Sequence, residues 1–542
     1  MTASTSIYCG GLKVAAQVTS LSVHEPTKTL AVAVSRLDGD MWDGCVELWS
    51  LNALVGAGEK EDEMTNDDLD PEQKVEIGKE LASAAGGGVK QSKTIDSAAA
   101  GATVGCAGRV SQPCGVSSLA WLNGCVSSGK HAGKPLVAIG RDDGNIEVFA
   151  WDRAKSLVPA VSLVEHDNLV NAVITPLADS SDGSGTGGST LLASGSSDGT
   201  VRVWDLAAAS TPGSNHNSVA SVDVLRSPFR GACVQALASC SSPSSSFDDA
   251  FTVLAVAYGG ASAQCGPCLG LWDRRAAVAA AQVAVQATAA SPPVAEGRAT
   301  KKGGVMLPFS AADAARALNP VESKFSCYAT ADEARGIGSC ATPTCLAYAR
   351  NFSAPPLMSK DSLEHALLVG FDDGVVARYD DRVLGRGAVK VFEASPQCHE
   401  SQAVRALLAF RASFDGPPST MGESMRSSPE DANSSTLGLV SASEACTAIL
   451  TFEDITAADG HLAASSTLPS PPPPPPPKST SQPAAPSTVQ PQLSTPTQID
   501  SRSDYVTALA MTSLPAVAGS TNKPTILTGG YDGQVRIIQL AY

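Results

Sequence analysis

Apolar residues recur along this chain in short runs. Each run is broken by Gly or Ser, then followed by a turn and a second run that ends in a large side chain. The clearest copy is LLASGSSDGTVRVWDL, Leu191–Leu206. PLVAIGRDDGNIEVFAWD from Pro135, ALLVGFDDGVVARYDD from Ala366 and TILTGGYDGQVRIIQL from Thr525 repeat it. Runs of this length and β-branched content predict strands, and Asp-Gly between two of them predicts a hairpin whose turn needs positive φ. The spacing is regular. Asp198 stands six residues before Trp204, Asp43 six before Trp49, Asp143 six before Phe149, Asp373 six before Tyr379 and Asp532 six before Ile538.

A short apolar segment precedes each hairpin: Val18–Val23, Val116–Trp121, Val170–Ile174, Val234–Ala238, Thr344–Tyr348, Ala403–Leu408 and Tyr505–Ala510. Two hairpins are degenerate. Val253–Asp273 has a longer turn, and Leu437–Asp454 reads with Glu444 in place of Asp and Leu450 in place of Trp. Repeats of this period resemble WD-repeat blades. The resemblance implies an all-β, seven-bladed WD-repeat β-propeller. It also implies a structural hydrogen-bond network, of which the third repeat keeps His166, Ser194, Asp198 and Trp204. An extra strand-like segment, Ser6–Ala16, precedes the first inner strand, and it is expected to pair with Gln534–Leu540 and close the ring. Closure removes a sheet edge that would otherwise invite association.

The remaining length is insertion. Residues 52–112, 278–334, 411–436 and 455–503 are too long and polar for blade strands, and are expected to be mostly disordered loops of a single propeller spanning 1–542. The last holds the proline run Pro471–Pro477, read as a stiff spacer. Long inserts cost little stability because closure entropy grows slowly with loop length.

Charge narrows the partners. The formal net charge is −16, and Glu59–Glu80 alone carries ten acids against three lysines. Such a chain is a poor nucleic-acid binder, since phosphate contacts need Lys and Arg. It suits basic protein tails better. No apolar run of about 18 residues predicts a membrane span. The start of the chain lacks the basic and apolar regions of a signal peptide. The 14 cysteines therefore read as reduced thiols of a cytoplasmic and nuclear protein.

Candidate chemistry is sparse. Cys265-Gly-Pro-Cys268 has redox spacing, but it falls in the fourth repeat's turn rather than at a helix N-terminus, and no second pair completes a metal site. No phosphate-binding Gly loop or nucleophile setting is found. A non-enzymatic protein without cofactor or metal is expected.

A finer resemblance comes from the blades taken in order. VSRLDGDMWDGCVELWSL from Val34 contains Ser35, Leu37, Gly39, Trp42 and Gly44. These fit a Ser-Leu-x-Gly-x-x-Trp-x-Gly segment similar to that of the WD-repeat subunits of the methylosome. GVSSLAWLNG, EHDNLVNAV and the Asp504-Tyr505-Val506 start of the last inner strand are similar too. The long inserts depart from that compact pattern. The resemblance implies a scaffold that binds a type II protein arginine methyltransferase and presents Arg/Gly-rich substrates such as Sm proteins or histones. Met41 and Trp42 are then the partner-binding candidates. Two other readings stand beside it. Leu271–Arg275 fits a Trp-Asp-x-Arg motif that resembles cullin ubiquitin-ligase substrate receptors, with Arg275 as the contact. A ribosome-biogenesis or general assembly scaffold is the other.

Overall fold

The computed structural model describes residues 8–56, 94–96, 106–122, 131–176, 190–206, 219–240, 253–259, 267–273, 327–330, 341–350, 365–412, 435–455, 497–515 and 522–540, apart from a few positions inside these ranges. They form seven four-stranded antiparallel blades. From the inside outward, the first is Gln17–His24, Thr29–Asp38, Met41–Ser50 and Cys106–Gln112. The second is Val116–Leu122, Leu136–Arg141, Asn145–Asp152 and Ser156–Val164. The third is Val170–Ile174, Leu191–Ser196, Thr200–Asp205 and Ser221–Arg226. The fourth is Cys233–Cys240, Val253–Gly259, Pro267–Asp273 and Cys327–Thr330. The fifth is Pro343–Arg350, Ala366–Phe371, Val376–Asp380 and Lys390–Phe392. The sixth is Val404–Ala412, Ser435–Ser443, Thr447–Ile455 and Thr497–Ser501. The seventh takes Val506–Pro515, Asn522–Gly530 and Gln534–Gln539 from the end of the chain and Tyr8–Lys13 from its start.

That last strand closes the ring. Tyr8 pairs with Gln539 and Lys13 with Gln534, antiparallel. A short segment, Thr94–Asp96, adds to its outer edge in parallel. The blades make a β-propeller whose core is not one body but seven wedges. Each hydrophobic cluster draws on two neighbouring blades, and one joins Leu12, Leu30 and Trp49 to Leu514, Leu527 and Val535, across the seam between the last blade and the first. A single blade has two apolar faces and cannot bury either alone.

Local geometry explains the repeat. In the turns, Gly144, Gly199, Gly374 and Gly533 have φ of +84°, +81°, +83° and +72°. The preceding Asp residues do not share the positive φ, so the turn is four residues long with Gly last, rather than a two-residue Asp-Gly turn. Asp serves by side chain. Asp143, Asp198, Asp373 and Asp532 each accept the N–H two residues on, at 3.1, 2.7, 3.2 and 3.0 Å.

Register corrects the reading of the sixth blade. In the third blade Val170 pairs with Ser196 and Leu192 with Trp204. In the sixth, Val404 pairs with Ser443 and Leu439 with Thr451. Ala445 and Thr451 therefore hold the Asp and Trp places, not Glu444 and Leu450. The long insertions also yield strands at their far ends: Cys106–Gln112, Cys327–Thr330 and Thr497–Ser501 are the outer strands of blades one, four and six. Most of residues 52–112, 278–334, 411–436 and 455–503, including Pro471–Pro477 and the acidic run, lies outside the described residues.

Candidate partner-binding face

One face of the ring carries the turns between second and third strands and the loops that enter each inner strand. The two are packed together. A Cβ on Gly144 would come within 2.6 Å of His166 O, one on Gly199 within 2.6 Å of Ala232 O, and one on Gly533 within 2.7 Å of Ala16 O. Every one of these carbonyls belongs to the loop leading into the next blade. Glycine is needed there for the close approach as well as for φ.

The four residues expected to form a network are brought together in the third blade. His166 Nε2 lies 2.8 Å from Ser194 Oγ and its Nδ1 3.0 Å from Asp198 Oδ2. Trp204 Nε1 donates to Ser194 Oγ at 2.9 Å. Burial pushes the Asp198 carboxyl up, but hydrogen bonds from His166 and Thr200 outweigh it and hold the group well below the usual carboxylate range. His166, Ser194 and Trp204 are buried, so this network ties a turn to its loop and offers nothing to a partner.

Other blades solve the same problem with different groups. In the seventh, Arg502 enters where the histidine stands. It donates to Asp532 Oδ1 at 3.0 Å, to Thr528 Oγ1 at 2.6 Å and to Asp500 Oδ2 at 2.9 Å. In the first, Trp49 Nε1 donates to Glu47 Oε2 at 3.2 Å. In the fourth, Leu254 pairs with Trp272, so Val256 holds the place of Ser194. Trp272 Nε1 is buried there without a partner.

The first blade departs from the rest. Its second and third strands continue past the blade, with Ser35 opposite Gly44, Arg36 opposite Asp43, Leu37 opposite Trp42 and Asp38 opposite Met41. Trp42 is thus a strand residue in a projecting hairpin, not a turn residue. It and Leu37 are 40% and 55% exposed. Arg36 and Asp43 clamp the ladder beside them with a 2.8 Å ion pair. Met41 shares the strand. Trp272 is a fully buried blade residue, whereas Arg275 lies outside the described residues.

Sequence reasoning gave no role to Tyr505 and Tyr531, which meet at the seventh blade of this face. Their ring centroids are 6.0 Å apart, and both are exposed. A signal was present. Tyr531 occupies the turn position that Asp142, Ser197 and Asp372 fill elsewhere. For Leu37 the signal was the lengthened spacing between Val34 and Asp43.

The buried thiols have no reactive setting. Burial pushes Cys45 up to about 11 and Cys345 to about 12. Cys268 is a fully buried residue of a strand rather than of the turn assigned to it from sequence, and Cys265 is outside the described residues. Among the described residues, no group of three His, Cys, Asp or Glu is placed to hold a metal ion, and no helix is long and apolar enough to cross a membrane.

Residues 159–205 match the family model described as WD domain, G-beta repeat. The match runs from the outer strand of the second blade to the third strand of the third. A sequence repeat therefore straddles two blades, and the chain as a whole folds as a seven-bladed β-propeller. No curated protein matches the chain. Among solved structures, it is similar to one titled "Crystal structure of the Saccharomyces cerevisiae Sqt1". That likeness has 11% identity and a TM-score of 0.44, and covers 98% of each chain.

Proposed function

We propose that this propeller is a non-catalytic scaffold of the methylosome kind, which binds a protein arginine methyltransferase and presents basic, Arg/Gly-rich proteins to it in the cytoplasm and nucleus. The observation that carries the reading is the Leu37–Trp42 cross-strand pair on a hairpin that projects from the turn face. Exposed apolar side chains held rigidly on a two-stranded ladder are poor for solubility and good for docking. A Trp anchor loses little conformational entropy on binding and buries a large area. The acidic character of the chain favours basic substrates.

The test is co-expression with a type II arginine methyltransferase. The wild-type chain is expected to co-purify stoichiometrically. Trp42→Ala is expected to weaken the complex by at least about 30-fold, the loss of a hot spot worth roughly 2 kcal/mol. Unchanged recovery with Trp42→Ala removes the hairpin from the interface. No complex with the wild-type chain rejects the methyltransferase as partner.

A further inference from the structure

We infer that Tyr505, Tyr531 and Asp504 form a receptor for an arginine side chain of a basic peptide, at the seventh blade of the turn face. It lies on the blade next to the one that carries the Leu37–Trp42 hairpin, and it rests on the reading that the chain holds basic partners.

Three observations carry it. The first is the aromatic pair. Tyr505 and Tyr531 stand 6.0 Å apart at an interplanar angle of 60°, 44% and 48% exposed. They are held from below, because Tyr531 N donates to Tyr505 O at 2.9 Å. Exposed rings lose area to water, yet here two are pinned side by side on a rigid turn. Tyrosine faces attract a cation within about 6 Å of the ring centroid, and guanidinium stacks on them as a plane.

The second observation is the carboxylate. Asp504 directly precedes Tyr505, and its Oδ1 accepts the Tyr505 N–H at 2.9 Å, which restrains the carboxylate. Among the described residues it has no ion-pair partner. Asp532 is not available in the same way, because its Oδ1 takes Arg502 Nη1 at 3.0 Å and the Gln534 N–H at 3.0 Å. The buried Arg502 is in turn neutralised by Asp500 and Asp532, and Arg536 pairs with Asp500. Both of these arginines are therefore already compensated, whereas Asp504, partly exposed, carries no ion pair among the described residues.

The third observation is the field of the whole face. Asp143, Asp167, Asp373, Glu400 and Asp504 all stand on its turns and entry loops. The arginines Arg36, Arg141 and Arg405 on the same face are each paired with a carboxylate. A cationic segment crossing this face meets no unmatched arginine among those three. Its arginine finds aromatic faces and a carboxylate in one place, and the bidentate fork suits both.

The experiment uses the full chain without any methyltransferase. A fluorescein-labelled peptide of alternating Gly and Arg is titrated and anisotropy is read. Two control peptides carry Lys or Gln at every Arg position. Arg is expected to bind more tightly than Lys by about threefold or more, and Gln to bind at least tenfold more weakly than Arg. The Tyr505→Leu/Tyr531→Leu chain is expected to weaken the Arg peptide at least tenfold and Asp504→Asn by threefold or more. Both variants alter side chains on the turn face, and an unchanged melting temperature verifies the fold. Binding that survives the double Tyr change, or that is equal for Arg and Gln peptides, overturns the proposal, as does the absence of binding by the wild-type chain. None of these outcomes depends on the methyltransferase complex, so the two readings fail independently.

Discussion

The indole and imidazole groups of this propeller show how little of a repeat must be kept. Trp204, Trp49 and Trp272 fill equivalent, fully buried places. The first bonds to a serine and the second to a glutamate, while the third is unpartnered. Burial of the ring is the common element, and a hydrogen bond adds only about 1 kcal/mol to it. His399 makes the point by titration. It is fully buried between Ser443 Oγ at 2.7 Å and Ser441 Oγ at 2.8 Å, and Ala445 supplies no carboxylate where the third blade has Asp198. Burial pulls its pKa down to about 4. A histidine whose folded pKa lies below its unfolded value of about 6.5 adds stability that is fully present above that value and is lost as pH falls toward 4. We expect roughly 3 kcal/mol of acid sensitivity from this group across that window. In urea titrations between pH 7 and 4.5, His399→Gln should flatten the fall in midpoint. An unchanged slope would assign it to other groups.

Within the strand elements, the recurrent device is a bulge. In all seven inner strands the register slips within the first few residues: Val18/Ser20, Val116/Ser118, Val170/Ala172, Val234/Ala236, Pro343/Cys345, Val404/Ala406 and Val506/Ala508. In five of the seven the skipped residue hydrogen-bonds to the inner strand of the next blade. Thr19 Oγ1 donates to Val116 O at 2.6 Å, Asn171 Nδ2 to Val234 O at 2.6 Å, Thr344 Oγ1 to Val404 O at 2.5 Å and Thr507 Oγ1 to Val18 O at 2.5 Å. Ser117 bonds to Val170 O likewise. The turns supply the second contact between blades, and two glycines separate its causes. Gly199 and Gly231 both have positive φ, but a Cβ on Gly231 meets nothing within 4 Å while one on Gly199 meets Ala232 O at 2.6 Å. Gly231→Ala should cost about 1–2 kcal/mol, the conformational part alone. Gly199→Ala should cost about 2–4 kcal/mol, because a backbone carbonyl of the next blade must also move. Chemical denaturation of the two variants checks the difference, and equal costs would mean that the turn yields freely.

At the scale of the ring, stability depends on a contact between the two ends of the chain. Leu12, on the closing strand, is fully buried in the cluster shared by blades seven and one. Thr507 bonds across the same seam. Removing residues 1–13 should leave Gln534–Gln539 with a bare edge and open that cluster. A lower and broader thermal transition is expected, together with concentration-dependent association in size-exclusion chromatography as exposed edges pair between molecules. A truncated chain that melted like the whole one, as a monomer, would show that the seam is held without its outer strand.

The alternation of apolar runs, the Asp-Gly spacing and the number of inner segments determined by themselves that the chain forms seven hairpin-based sheets, because those signals act over a few neighbouring residues. The network of His166, Ser194, Asp198 and Trp204 was legible for the same reason: one repeat contains it whole. Register in the sixth blade was not legible, since Glu444 and Ala445 differ by one position and only pairing with Val404 decides between them. Nor were the outer strands that follow long insertions, CAGRVSQ, CYAT and TQIDS, which lack the apolar run that marks the inner strands. The use of Arg502 in place of histidine, and the meeting of Tyr505 with Tyr531, depend on which loop crosses which turn. That is decided only when the blades stack, because burial and proximity between residues far apart in the chain come into existence with the packed ring.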